Sequence, residues 1–206
     1  MLYLDLKAMR KGNRTDWERF SEIMNRAYVT NPSVLWVLKN DSVYPRRLRI
    51  LTRYCFEKGL ANDGIWFTED FAGVSVVFEL QHEKQSWRSL YWEIVLAMKG
   101  ITIPRLKMVM KRDALIRKKR DPQTGLYFWM YAADPDKMDG VAARKMRDYF
   151  FHWADESGQF ILAETSVPKN EHVYRYSGFE TYDEWRDEKS EMITWMMRRA
   201  PRPKQN

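Results

Sequence analysis

Leu126-Tyr-Phe-Trp-Met-Tyr131-Ala-Ala-Asp-Pro-Asp136-Lys137-Met-Asp-Gly140-Val-Ala-Ala143-Arg-Lys-Met146 is a strand, a turn and a helix written in one line. Residues 126–133 are apolar without alternation, as expected for a strand covered on both faces. Asp134-Pro-Asp136 interrupts, small residues follow at Gly140, Ala142 and Ala143, and Met146, Tyr149, Phe150 and Trp153 then mark a helix ending near Ser157-Gly158. Small residues let a ligand approach the backbone closely. The first amides of a helix lack intrahelical partners and carry the positive end of its dipole, so this turn is suited to a pyrophosphate.

A second segment, Glu164-Thr-Ser-Val-Pro-Lys-Asn170-Glu-His-Val-Tyr174-Arg-Tyr-Ser-Gly178-Phe179, sets Asn and Tyr four residues apart, on one face of a helix, with Gly-Phe four further on. Together the two segments resemble the GCN5-related N-acetyltransferase (GNAT) superfamily. Its phosphate loop reads Gln/Arg-x-x-Gly-x-Gly/Ala, and this chain offers Lys137-x-x-Gly140-x-Ala142. Its later motif, Asn-x-x-x-Tyr-x-x-x-Gly-Phe, is matched by Asn170, Tyr174, Gly178 and Phe179. The resemblance is strongest over residues 126–180 and weakest over 81–125.

The resemblance implies an α/β (α+β) fold with a mixed, mostly antiparallel central sheet flanked by helices. Residues 81–125, where the resemblance is weakest, are read as a helical insertion (about 84–120) between the third and fourth strands; length and composition point to one domain over residues 1–200, and Pro201-Arg-Pro-Lys-Gln-Asn206 reads as a disordered tail. The resemblance further implies acetyl transfer from acetyl-CoA, or another acyl-CoA, to the amine of a small-molecule acceptor. In that scheme the main chain of Tyr131, Ala132 and Ala133 pairs with the pantetheine amides. Lys137 and the amides of Met138, Asp139, Gly140, Val141, Ala142 and Ala143 hold the pyrophosphate. Asn170 binds pantetheine, and Tyr174 protonates the departing thiolate. Lys137 replaces the usual Gln or Arg and keeps a donor. Asp139 puts a carboxylate into the phosphate loop and is read as a helix cap. A base near neutral pH is also needed. Glu164, beside the cofactor strand, is the first choice and Glu79 the second. Two alternatives stand: a non-catalytic CoA-binding protein or sensor, and a nucleic-acid-binding protein.

Outward from this core, Thr15-Asp-Trp-Glu18 reads as a capping box opening a helix with Trp17, Phe20, Met24 and Tyr28 on one face. A second helix follows Tyr44-Pro45 and carries Cys55 on its apolar face, as a core thiol. Residues 64–79 read as a hairpin, residues 87–100 and 104–119 as a helical stretch, and 160–164, 179 onward and 191–199 as strands.

The chain has 206 residues, 45% hydrophobic and 31% charged, which suits one substantial core. Nine Trp, eleven Tyr and ten Phe exclude dominant disorder. No apolar run approaches the ~20 residues of a membrane span, and a single cysteine excludes a disulfide scaffold. A cytoplasmic protein, monomeric or homodimeric and without a membrane partner, is expected. The net charge is +7, and residues 105–120, with eight basic side chains against Asp113 alone, account for all of it. Apolar residues at helical spacing between those charges, such as Leu106, Val109 and Met110, make the segment an amphipathic cover over a core or acceptor pocket. Nucleic acid is therefore not expected as a partner. His82, His152 and His172 are scattered without metal-ligand spacing, so no metal site is expected. Trp36, Trp87 and Trp92 are candidate linings of the acceptor pocket.

Overall fold

The computed structural model describes residues 9–121, 125–137 and 140–203. Its centre is β4 (Gly125–Ala133), flanked by β3 (Gly73–Glu79) and β5 (Phe160–Thr165). The seven strands form one sheet in the order β1-β2-β3-β4-β5-β7-β6, where β1 is Met9–Lys11, β2 Ile65–Thr68, β6 Glu180–Arg186 and β7 Ile193–Arg199. Every pairing is antiparallel except β4 with β5. The parallel pair is joined by a crossover through α6 (Val141–Ser157), as parallel neighbours require.

Helices cover both faces. On one, α6 buries Met146, Phe150 and Ala154 against Val77, Leu126, Phe128, Ile161 and Ala163. On the other, α1 (Trp17–Tyr28) and α3 (Tyr44–Ala61) bury Phe20, Ile23, Met24 and Phe56 against Phe67, Val74, Val76 and Tyr127. Each such large side chain contributes about 1.5–3 kcal/mol by leaving water. This two-sided cover is why residues 126–133 show no polar alternation.

β4 also carries a bulge. Val76 faces Met130 while the next residue, Val77, faces Phe128, so Trp129 is extra. Tyr127, Trp129, Met130 and Ala132 therefore pack toward α1 and α3, whereas Phe128 and Tyr131 pack toward α6.

Between β3 and β4 lie α4 (Trp87–Val95), a π-helical turn (Leu96–Gly100) and α5 (Ile103–Lys119). α5 seats on α2 (Pro32–Val37) through Arg105, whose Nη1 donates to the carbonyls of Trp36 (2.9 Å) and Leu38 (3.0 Å) at that helix's C-terminal end. Of the basic run, Arg117 pairs with Asp113, Lys119 with Asp183 and Arg120 with Glu164. No helix among the described residues is long and apolar enough to cross a membrane.

The structure departs from expectation at the N-terminal side. The capping box is Asn13 with Asp16, not Thr15 with Glu18: Asn13 Oδ1 accepts from the Thr15 amide (2.9 Å) and Asp16 Oδ2 from the Asn13 amide (2.7 Å). The better acceptors lie one turn earlier and open a short 3₁₀ turn (Arg14–Asp16) ahead of α1. The strand β1 and the helix α2, capped by Asn31, were not anticipated. Cys55 is buried as expected, and burial pushes its thiol up to about 12.

Candidate active site

The last paired residues of β4 and β5 are Phe128 and Ala163. Beyond them β4 runs on to Ala133 paired only with β3, and β5 runs on through Glu164 and Thr165 paired only with β7. The edge of β4 that faces β5 is thus left without a strand partner. At Tyr131 this edge meets the Tyr28 hydroxyl, which accepts from the Tyr131 amide (3.0 Å) and donates to the Tyr131 carbonyl (3.3 Å). The amide and carbonyl of a strand residue point the same way, so both face away from β3.

Two cavities open on opposite faces of this gap, because neighbouring residues of a strand alternate in direction. The smaller, about 160 Å³, lies on the α6 face between β4, α6 and α7 (Pro168–Tyr176). Phe128, Tyr131, Ala143, Arg144, Arg147 and Tyr174 line it. The Tyr131 hydroxyl donates to the Ala143 carbonyl and fixes the start of α6 against β4. Gly140 stands at the N-cap of α6 with φ 71°, a left-handed conformation that favours glycine, and supplies no side-chain cap. The first turn of α6 carries no acidic residue. Arg144 closes that turn and Arg147, paired with Asp148, follows nearly a turn later; both line the cavity, and Arg144 pairs with no carboxylate among the described residues.

The loop into α6 is anchored from α1. Asp134, only 5% exposed, accepts from Arg19 Nη2 (2.7 Å) and from the Asp136 amide (3.0 Å). Arg26 spans Asp134 and Asp136 (2.5 Å to the latter). The hydrogen bond from the Asp136 amide, joined by these guanidiniums, holds the Asp134 carboxyl below its usual range. Asp134-Pro-Asp136 is thus a clamp between β4 and α1.

Tyr174 packs on Phe179 with ring centroids 5.0 Å apart, and burial pushes its phenol up to about 12. Asn170 lies one turn earlier on α7, exposed, and is not among the residues lining the smaller cavity. Met138 and Asp139, the latter read as a helix cap, lie outside the described residues.

The larger cavity, about 520 Å³, lies on the other face under α4, the π turn and α5. Its size is that of a small-molecule site. Its floor is Tyr127, Trp129, Phe78 and Glu164, and its walls are mostly aliphatic. Glu164 accepts from Arg120 Nη2 (3.0 Å) and lies beside Tyr127 on the cavity floor. The structure thus brings Glu164 to the gap, but ion-paired. Glu79 is held elsewhere by His82 (2.6 Å) and Gln159 (3.2 Å). The aromatic lining is Tyr54, Phe78, Tyr127 and Trp129 rather than the anticipated tryptophans. Trp87 is exposed, and Trp36 packs edge-on against Trp185. Sequence reasoning missed Tyr28, Trp129 and Arg112, which line or close the gap from separate elements.

No family profile and no curated protein sequence matches the chain. Solved structures do match. "Histone acetyltransferase HPA2 and related acetyltransferase" from Corynebacterium glutamicum aligns over 95% of this chain and 96% of its own, with TM-score 0.67 and 13% identity. Arylalkylamine N-acetyltransferase 2 from Aedes aegypti aligns over 94% and 98%, with TM-score 0.61 and 13% identity. The C-terminal condensation domain of Ebony, solved in complex with beta-alanyl-dopamine, aligns over 93% and 97%, with TM-score 0.64 and 9% identity. Likeness of this kind, over nearly the whole length of each partner, is a likeness of architecture. The chain has the GCN5-related N-acetyltransferase fold.

Proposed function

We propose that the chain is an acyl-CoA-dependent N-acyltransferase that moves an acetyl group onto the amine of a small molecule. The observation that carries this reading is the gap between β4 and β5, which opens onto one cavity on each face of the sheet. The residues on the α6 side fit acyl-CoA. An Arg144 with no carboxylate partner among the described residues, a helix N-terminus and a left-handed Gly140 suit a pyrophosphate, and the edge of Tyr131, Ala132 and Ala133, which has no strand partner, suits an amide-bearing chain. When bound, acyl-CoA supplies the activated acyl group. Tyr174, kept protonated by burial, gives its proton to the thiolate sulfur as the carbon–sulfur bond breaks. Glu164, on the opposite side of the gap, takes the proton lost by the amine nitrogen as the carbon–nitrogen bond forms. Lys137, Gly140, Val141, Ala142 and Ala143 keep their proposed place at the pyrophosphate, and Asn170 its place along the pantetheine.

A second reading, a non-catalytic CoA-binding protein, is favoured by one observation. The Tyr28 hydroxyl occupies the Tyr131 edge and Arg120 occupies Glu164. The basic run 105–120 is read as the cover of the larger cavity rather than a nucleic-acid surface, because Arg105, Arg112 and Arg120 turn inward. Calorimetry with acetyl-CoA, followed by amine-dependent release of free thiol across an amine panel, tests the proposal. Binding with release supports it, binding without release across the panel supports the second reading, and absence of binding overturns both.

A further inference from the structure

The charged lining of the larger cavity falls into ion pairs except for Arg112 and Glu93, whose carboxylate accepts from Gln85 Nε2 (3.0 Å). Lys58 pairs with Glu83, Arg117 with Asp113 and Arg120 with Glu164. Arg112 pairs with no carboxylate among the described residues. Its Cζ lies 5.2 Å from the Trp36 ring and 5.3 Å from that of Trp185. Its Nη2 donates to Ser33 Oγ (3.3 Å) and Thr194 Oγ1 (3.0 Å), both neutral, and its buried Nε meets no acceptor among the described residues. Burial lowers its pKa, with Glu164 the largest opposing influence. A guanidinium taken out of water without an anion is costly, and the cost is recovered when an anion arrives.

The rest of the cavity says what else that anion must carry. Leu51, Leu96, Ile101, Leu106, Val109 and Ile116 offer an aliphatic wall, and Trp129 and Tyr54 an aromatic one. Glu164, on the floor and paired with Arg120, is the carboxylate that acts most strongly on Arg112, ahead of Asp113 and Asp187. We propose that the larger cavity takes an amine that also bears a carboxylate and an apolar side chain, an apolar amino acid or its close analogue, with Arg112 as the partner of the carboxylate. The apolar body fills the space under α4 and α5, the carboxylate takes the unpartnered face of Arg112, and the amino group lies toward Glu164 and the gap. Naming this as the acceptor rests on the acyl-transfer reading above, whereas the binding itself does not.

The test is therefore read first without acyl-CoA. L-leucine, L-phenylalanine and L-tryptophan are titrated by calorimetry, each against its amide and its decarboxylated amine. At least one amino acid is expected to bind ten- to one-hundred-fold more tightly than its amide and amine, on the order of one charged hydrogen-bonded contact. Arg112→Gln should erase that difference while leaving the amine's affinity unchanged, and Arg112→Lys should restore part of it. Amides and amines that bind as well as the acids overturn the proposal. So does a folded Arg112→Gln protein with unchanged acid affinity, or no binding by any of the three. If Arg112→Gln fails to fold, the acid-against-amine comparison in the unsubstituted protein still decides. Acid binding in a protein that does not bind acetyl-CoA would sink the acyl-transfer reading alone. Thiol release driven by the plain amines, with no acid bound, would sink this proposal alone.

Discussion

The two cavities that meet at β4 handle charge in opposite ways. On the α6 side, the exposed Arg144 stands in the first turn of a helix, where water and backbone dipoles would share in holding the proposed anion. On the α5 side, Arg112 lies against the Trp36 and Trp185 rings, donates only to neutral hydroxyls, and meets no carboxylate at ion-pair distance among the described residues. An exposed cation can receive a large, highly charged group at little desolvation cost. A buried one discriminates, because a ligand lacking the anion leaves the guanidinium uncompensated. If both proposals hold, one face of the sheet is a tolerant entrance and the other a selective chamber.

The largest expected effect breaks the first side and leaves the second intact. Gly140→Glu puts bulk and negative charge at a backbone position with φ 71°. Acetyl-CoA affinity should fall by about 100-fold or more, a loss of ~3 kcal/mol or more, while amino-acid binding in the larger cavity is unchanged. Calorimetry with each ligand checks both halves, and unchanged acetyl-CoA affinity in a folded variant removes the proposed phosphate site.

Next in size is a change that touches chemistry without touching either affinity. Tyr174→Phe keeps the ring on Phe179 and removes only the hydroxyl. Turnover should drop by roughly 10²-fold with acetyl-CoA affinity nearly constant. Burial favours the neutral phenol, so its pKa lies above the usual value, at about 12. The proton it donates is therefore present throughout the neutral range. A wild-type rate that fell as pH rose through 9 would assign that limb to some other group. Full turnover in the Phe variant, with chemistry rate-limiting, would leave Tyr174 as a packing residue.

The smallest effect sharpens the boundary between the two sides. If pantetheine pairs with the Tyr131 edge, it must displace the Tyr28 hydroxyl, and Tyr28→Phe should tighten acetyl-CoA binding by about threefold, the worth of a modest net hydrogen bond. Weaker binding in that variant would mean that Tyr28 helps to seat the ligand rather than competing with it.

What the sequence made legible is local. Gly140, Ala142, Tyr174 and Phe179 stand in a strand–helix–strand–helix run whose periodicity and spacing survive into the structure almost unchanged. What it hid is what long separations create. Tyr28 reaches the Tyr131 backbone across 103 positions, and nothing in the α1 pattern distinguishes it from the other apolar-face residues. Arg112 read as one of eight similar charges, and only the approach of Trp36 and Trp185 from two remote elements sets it apart. The Asn13 cap was obscured by overlap, since Asn13/Asp16 and Thr15/Glu18 both satisfy the spacing and the backbone chose the earlier.

The extra residue at Trp129 bears on how this strand can change over evolutionary time. Upstream of it, odd-numbered positions look into the chamber under α5; downstream, the parity is reversed and Tyr131 looks toward α6. Losing Trp129 itself would leave β4 a regular strand, with Tyr127, Met130 and Ala132 still on one face, Phe128 and Tyr131 still on the other, and every pairing with β3 kept. Losing or gaining one residue anywhere else in the strand would turn over the half beyond it, exchanging wall for core. Length variants of this strand in descendants of the chain should accordingly differ by the bulge residue, by even steps, or carry a compensating irregularity in β3 opposite Val76 and Val77.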